Sequence, residues 1–235
     1  MLRWILGDET FSNAVKAYQS DPALAYNFTN TPQLKMHLEQ ARGKDLSYFF
    51  NQWYTGQGYP SYQVKWSQLG NASAKITVNQ TTSHPSVSFF QLPLALKFKN
   101  ASQEKTVVVD SRTNGETFVK NIGFIADTVI IDPEYWIVSK NNSSQKSALP
   151  NTGNGNIDIY PNPIADPMTI YFHDFGAASA DLHIVNAAGQ LVFKKTVLLN
   201  NGSELLEIPT NHWSKGMYII NVKSGDKKIV RRVLR

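Results

Sequence analysis

Five histidines bound the metal chemistry open to this chain: His37, His84, His173, His183 and His212. No two of them lie within five residues of each other. Zinc-assisted peptide hydrolysis needs imidazoles at i and i+4 on one helix face, with a glutamate beside them as base on the metal-bound water. His37-Leu38-Glu39-Gln40-Ala41 has no histidine at the fourth position. His173 and Asp174 are neighbours on a strand pattern, which sends their side chains to opposite faces. Asp132-Pro133-Glu134 brings two carboxylates together where a turn is expected after a strand. Ser83 and Ser111 lack the G-x-S-x-G setting of an activated serine. The absence of cysteine removes thiol nucleophiles and thiolate ligands together. We assign no catalytic residue and no metal ligand within the chain. Trp66, Phe89, Phe90, Tyr135 and Trp136 could stack a ligand, but at strand spacing they read better as core.

The elements that would position these residues fall into four stretches. Residues 1–58 are helical by pattern. Asp8 is a suitable N-cap before Phe11, Val15 and Tyr18, which share one face. Thr31-Pro32 starts a second helix carrying Leu34, Leu38 and Ala41, with Gly43 as its stop. Asp45 caps a third, whose Leu46, Phe49, Phe50 and Trp53 form an apolar stripe ended by Gly56 and Gly58. Such large stripes on short helices call for a further packing partner.

From residue 59 to 138 the period changes to two. Tyr62, Val64 and Trp66 alternate, as do Ala74, Ile76 and Val78, Val87 and Phe89, and Leu92 to Phe98. Gly70-Asn71, Asn100-Ala101 and Asn114-Gly115 break the runs, the last as a hairpin turn. Antiparallel strands in a sandwich follow. Residues 139–156 are polar and nearly featureless, a flexible linker of roughly 20–25 Å and the expected site of proteolysis. Residues 157–235 return to about seven short strands, with hairpin turns at Ala188-Gly189 and Ser224-Gly225-Asp226. The predicted fold class is α + β: a short helical segment, then two antiparallel Ig-like β-sandwiches joined by that linker.

Composition agrees with a folded chain: 42% hydrophobic and 17% charged over 235 residues. The net charge of +5 gathers at the end, where Lys223, Lys227, Lys228, Arg231, Arg232 and Arg235 face one acid, Asp226. A basic end can meet nucleic acid or anionic lipid, but the solvent face of a strand explains it more simply, and no nucleic-acid partner is assigned. No apolar run reaches the roughly 20 residues of a membrane span. Met1 to Gly7 is too short for a secretory signal.

Two resemblances carry function. Residues Leu6-Gly7-Asp8-Glu9-Thr10-Phe11, Tyr18, Gly43-Lys44-Asp45-Leu46-Ser47-Tyr48-Phe49-Phe50-Asn51-Gln52-Trp53 and Gly56-Gln57-Gly58-Tyr59-Pro60 resemble the end of a gluzincin (alanyl/leucyl-type) zinc aminopeptidase catalytic domain. In that family such helices lead into a β-sandwich, and Val129-Ile130-Ile131-Asp132-Pro133 resembles its close. The resemblance covers about residues 1–138. It implies that zinc and the catalytic groups belong to an upstream domain, that this chain alone is inactive with no cofactor, and that it is the C-terminal portion of a longer polypeptide.

The second concerns residues 157–235. Tyr160-Pro161-Asn162-Pro163, Ile184-Val185-Asn186-Ala187-Ala188-Gly189-Gln190-Leu191-Val192, Gly216-Met217-Tyr218-Ile219-Ile220-Asn221-Val222 and Lys227-Lys228-Ile229-Val230-Arg231-Arg232-Val233 resemble the C-terminal sorting domain of the Bacteroidetes type IX (Por) secretion system. Pro161, Asn162, Pro163, Asn186, Gly189, Gly216, Tyr218, Lys228 and Val230 would carry the signal. The resemblance implies passage through the periplasm and outer membrane to the cell surface or medium. The implied partners are the secretion machinery and a sortase-like peptidase that cuts within 139–156. The alternative is an exported binding or adhesion sandwich without peptidase parentage.

Overall fold

The computed structural model describes residues 1–70, 72–147, 155–199 and 202–235. Helices α1 (Leu2–Leu6), α2 (Asp8–Ser20), α3 (Thr31–Arg42) and α4 (Ser47–Phe50) come first, and α4 runs into a π-helical turn, Asn51–Thr55. Gly7, not Asp8, takes the N-cap of α2. Asp8 lies in the first turn instead, where the helix dipole favours an anion, and pairs with Arg3 at 2.7 Å. Helix α3 opens one residue earlier than the Thr31-Pro32 signal implies, because Asn30 and Gln33 form a reciprocal capping box. Gly43 closes α3 in the left-handed conformation (φ 68). Leu46, not Asp45, takes the N-cap of α4; Asp45 stands one residue earlier, where its carboxylate accepts from the Ser47 amide at 3.0 Å.

The first sandwich contains β1 (Pro60–Leu69), β2 (Ser73–Thr82), β3 (Pro93–Lys99), β4 (Glu104–Asp110), β5 (Glu116–Asn121), β6 (Thr128–Ile131) and β7 (Ser143–Lys146). Its sheets run β5-β2-β1-β7 and β4-β3-β6. Tyr62, Val64 and Trp66 point inward from β1, and Trp66 meets Phe98 of the facing sheet edge-on at 5.5 Å. The helices share this core: Leu38, Leu46, Phe49 and Phe50 belong to the same apolar cluster as the strands. Trp53 lies 4.5 Å from Phe90, Gln52 accepts from the Gln91 amide, and the Trp4 indole donates to the Pro93 carbonyl. The sandwich is the packing partner the helical stripes lacked. Gly56 permits the join, since a Cβ there would meet Val87 at 2.5 Å.

Three further sequence expectations change. Residues 139–156 are not wholly a linker, because β7 pairs with β1, and does so in parallel. Its side chains are all exposed, so no apolar period marks it. The ladder is reinforced by Ser144 donating to the Val129 carbonyl and Lys146 to that of Ala126. Residues 148–154 of the expected linker lie outside the described residues. Second, Val87 and Phe89 are not on a strand. The Gln80 side chain bonds both the amide and the carbonyl of Phe90 and replaces the ladder there. Third, Asn114-Gly115 does not close a hairpin. It carries the chain from β4 in one sheet to β5 in the other, fixed by bonds to Gln80 and Val78 of β2.

The second sandwich contains β8 (Asn156–Tyr160), β9 (Met168–His173), β10 (Ser179–Asn186), β11 (Leu191–Leu198), β12 (Glu204–Ile208), β13 (Met217–Ser224) and β14 (Lys227–Leu234). Its sheets run β11-β10-β13-β14 and β12-β9-β8. Met168, Ile170 and Phe172 face Leu182, Ile184, Ile220 and Val222 in a core separate from the first. Every residue of β9 except His173 is buried. One face meets the core. On the other, Tyr171 lies beside the Gly70 backbone of the first sandwich.

Candidate sorting surface

Asn186, Gly189, Gly216 and Tyr218 meet at one end of the β11-β10-β13-β14 sheet. The Asn186 carboxamide oxygen accepts from the amides of Ala188 and Gln190, and this shapes the turn through Gly189 (φ 79). Tyr218 pairs with Asn186 across the β10–β13 ladder and stacks on Trp213 at 4.8 Å. Its hydroxyl donates to the Ser214 carbonyl. Gly216 exchanges both backbone bonds with Arg235, and the Arg235 guanidinium donates to the Trp213 carbonyl. A cavity of about 460 Å³ opens here, lined by Asn186, His212, Trp213, Gly216 and Tyr218.

Pro161, Asn162 and Pro163 follow β8, beside a second cavity of about 500 Å³ whose other wall is β5 of the first sandwich. The Tyr160–Pro161 and Asn162–Pro163 peptides are cis. The segment is tied to the first cluster through the last strand, for the Ile164 amide donates to the Leu234 carbonyl. Lys228 and Val230 stand apart on the exposed face of β14. The sequence reading passes over Trp213 and takes Arg235 only as one charge of the basic end. A lone tryptophan and a terminal arginine have no period to betray them.

Where the two sandwiches touch, a polar cluster forms. Lys75 approaches Asp158 at 3.6 Å and lies over the Tyr160 ring. His173 does not diverge from Asp174 as adjacent strand residues should. Asp174 has φ 58 and leaves the strand, so its carboxylate meets His173 Nδ1 at 3.1 Å. His173 Nε2 lies 3.8 Å from Asp158 and makes no hydrogen bond. Burial raises the Tyr160 phenol well above its usual value, and the Asp158 carboxylate adds to the shift. An imidazole between carboxylates could move a proton, but among the described residues no hydroxyl nucleophile hydrogen-bonds to its Nε2.

The remaining candidates are structural. Asp132 is buried and accepts from the amides of Trp136 and Ile137, closing a turn. Trp66 and Phe90 are core and Trp136 stacks on Trp4, but Tyr135, expected in the core, is exposed in the turn that Asp132 closes. Among the described residues no group of three His, Cys, Asp or Glu side chains could hold a metal ion. Zinc, implied by the peptidase resemblance, therefore has no fitting donor set here. Also among the described residues, no helix is long and apolar enough to cross a membrane.

Residues 158–234 match the Por secretion tail family, the secretion system C-terminal sorting domain. They are a type IX sorting domain. Its presence makes the chain an exported protein, bound for the cell surface or beyond and a client of the type IX machinery. No curated protein matches the chain. Among solved structures, the chicken CNTN1 FN1-FN3 domains are 11% identical, with 77% of this chain and 68% of that one covered at a TM-score of 0.25. Dimeric latent PorU from Porphyromonas gingivalis is 13% identical, with 75% and 20% covered at a TM-score of 0.28. This chain thus spans a fifth of the latter's length. The sandwich assignment rests on the strand ladders themselves.

Proposed function

We propose that residues 1–138 are the helical end and bracing sandwich of an exported zinc-aminopeptidase-like protein, with the sorting domain as its export signal. The observation that carries this reading is the Gly43–Pro60 block. Its aromatic stripe is not a free helix face but the joint between helices and sandwich, where Phe49 stacks on Trp53 and Trp53 meets Phe90 at a tilt. A joint of that kind is what the peptidase resemblance requires of those residues. The catalytic groups and zinc then belong to sequence outside this chain, and no step is derived for them. Within the sorting domain, Pro161, Asn162, Pro163, Asn186, Gly189, Gly216, Tyr218, Lys228 and Val230 carry the signal read by the machinery. A sortase-like peptidase cuts downstream of β7.

One observation favours a second reading, an exported binding protein. The helices and first sandwich share a core, so they fold as one body, and this body holds out Tyr26 and Phe28 fully to solvent. The coding sequence just upstream separates the two. An H-E-x-x-H followed by a downstream glutamate supports the peptidase reading, and its absence favours the second. The purified chain is expected to show no zinc-dependent aminopeptidase turnover, and clear turnover would contradict the assignment of catalysis elsewhere.

A further inference from the structure

The solvent face of the β11-β10-β13-β14 sheet can be read from its register. Lys228 stands opposite Lys223, which stands opposite Asp181 and then Thr196. The next row is Val230, Asn221, His183 and Lys194. The third is Arg232, Ile219, Val185 and Leu191. Lys194, Lys223, Lys228 and Arg232 are all exposed. None of the four has an ion-pair partner among the described residues. The one acid on the face, Asp181, accepts from the Thr196 hydroxyl.

Sheet stability does not explain this pattern. Like charges directly opposite on adjacent strands destabilise the pair, and Lys223–Lys228 is such a pair. Between the cations lie Val230, 45% exposed, and half-buried Ile219. The His183 Nε2 atom, enclosed and without a hydrogen-bond partner, sits in the same row as Val230. An apolar centre within a charged rim is the anatomy of a protein-binding patch.

We infer that this sheet face docks on an acidic surface of a protein partner, and, resting on the export reading, that the partner is a component of the secretion route. Strand spacing of about 4.8 Å and a rise of about 3.3 Å per residue make the cationic frame roughly 14 by 13 Å. That is roughly 200 Å², about a quarter of one side of a stable interface, so the contact is transient and steered by charge. The three rows carry no tryptophan or phenylalanine to insert among lipid acyl chains, which favours protein over membrane.

The test uses the whole chain. Nitrogen-15 labelled protein is titrated with a dodecaglutamate peptide at 50 and 300 mM salt. Shifts should gather on β10, β13 and β14 and weaken at least tenfold at the higher salt. K194E/K223E/K228E/R232E should lose at least tenfold in affinity. The K16E/K44E/K99E/K105E control, with equal charge change, should stay within twofold. Equal loss in both, or preferential binding to phosphatidylcholine vesicles with 30% phosphatidylglycerol, overturns the inference. In a type IX-competent host, behind an inner-membrane export signal, the sheet-face variant should fall at least fivefold in secreted protein, while K194R/K223R/K228R keeps export. Undiminished export of the reversed variant overturns the inference and leaves the export reading intact. Failure of the unmodified chain to leave the cell overturns both.

Discussion

The Ile164 amide donates to the Leu234 carbonyl at 2.6 Å. This bond joins the Pro161–Pro163 segment near the start of the sorting domain to the last strand. Arg235, one residue on, is laddered to Gly216, and Tyr218 lies two residues beyond. The proposed signal residues from three parts of the sequence therefore depend on β14 for their relative positions. Val230 and Lys228 lie on that strand too.

Deleting Lys228–Arg235 should therefore do more than shorten the tail. It removes buried Ile229 and Val233, each contributing about 1.5–3 kcal/mol, and leaves Ile164 and Gly216 without their backbone partners Leu234 and Arg235. The truncated protein should lose the sorting-domain unfolding transition and accumulate in the periplasm. Fractionation with calorimetry reads both effects. Normal secretion of the truncation would count against the tail as signal.

The two cores should report separately. Phe90 is 1% exposed and holds Trp53 of the helical region. Phe90→Ala should cost about 3–5 kcal/mol in the transition shared by the helices and first sandwich. Ile184→Ala should cost about 2–5 kcal/mol in the other. Calorimetric scans in which either variant lowers both transitions equally would show one core where we find two.

Alkali should destabilise the chain through its buried phenols. Burial raises the pKa of Tyr62, Tyr160 and Tyr171 above the ordinary 10. Between that value and the folded one, the native state holds more protons than the unfolded state. Stability is fully present below pH 10 and falls as pH rises beyond it. The Tyr62 hydroxyl also has no hydrogen-bond partner, so Tyr62→Phe should gain about 1 kcal/mol and flatten the alkaline loss. Urea midpoints at pH 8 and 11 for both proteins supply the check.

Much of this fold was legible because period and packing agree. Alternation from Tyr62 to Trp66 marks β1, and Gly43 marks the end of α3. What escaped was held by polar contacts that no period records. Gln80 captures Phe90, Asp174 turns back on His173, and β7 has four exposed side chains. The proposed signal residues were visible as motifs, yet their joining through Leu234 and Arg235 was not, since backbone bonds over such separations leave no trace in residue type. The Lys223–Lys228 opposition needs the register, which follows only from the Ser224–Asp226 turn once β13 and β14 are paired.

Limited proteolysis should respect β7. Cuts by a nonspecific protease are expected after Lys146 and before Asn156, giving one fragment for each sandwich. Residues 143–146 should be spared, because their backbone is laddered to β1. Mass spectrometry of the early fragments locates the cuts. Early cleavage between Ser143 and Lys146 would show that the parallel strand is not formed.

The parallel pairing of β7 with β1 has a consequence for what remains after sorting. β7 covers one edge of the first sandwich, and an exposed edge invites pairing with other chains. With the cut downstream of β7, as proposed, the covering strand stays with the released body. Export would shed the tail without uncovering β1, and on that side the matured protein would present the four-residue polar strand Ser143–Lys146 in place of the ten-residue β1, a shorter and less sticky edge.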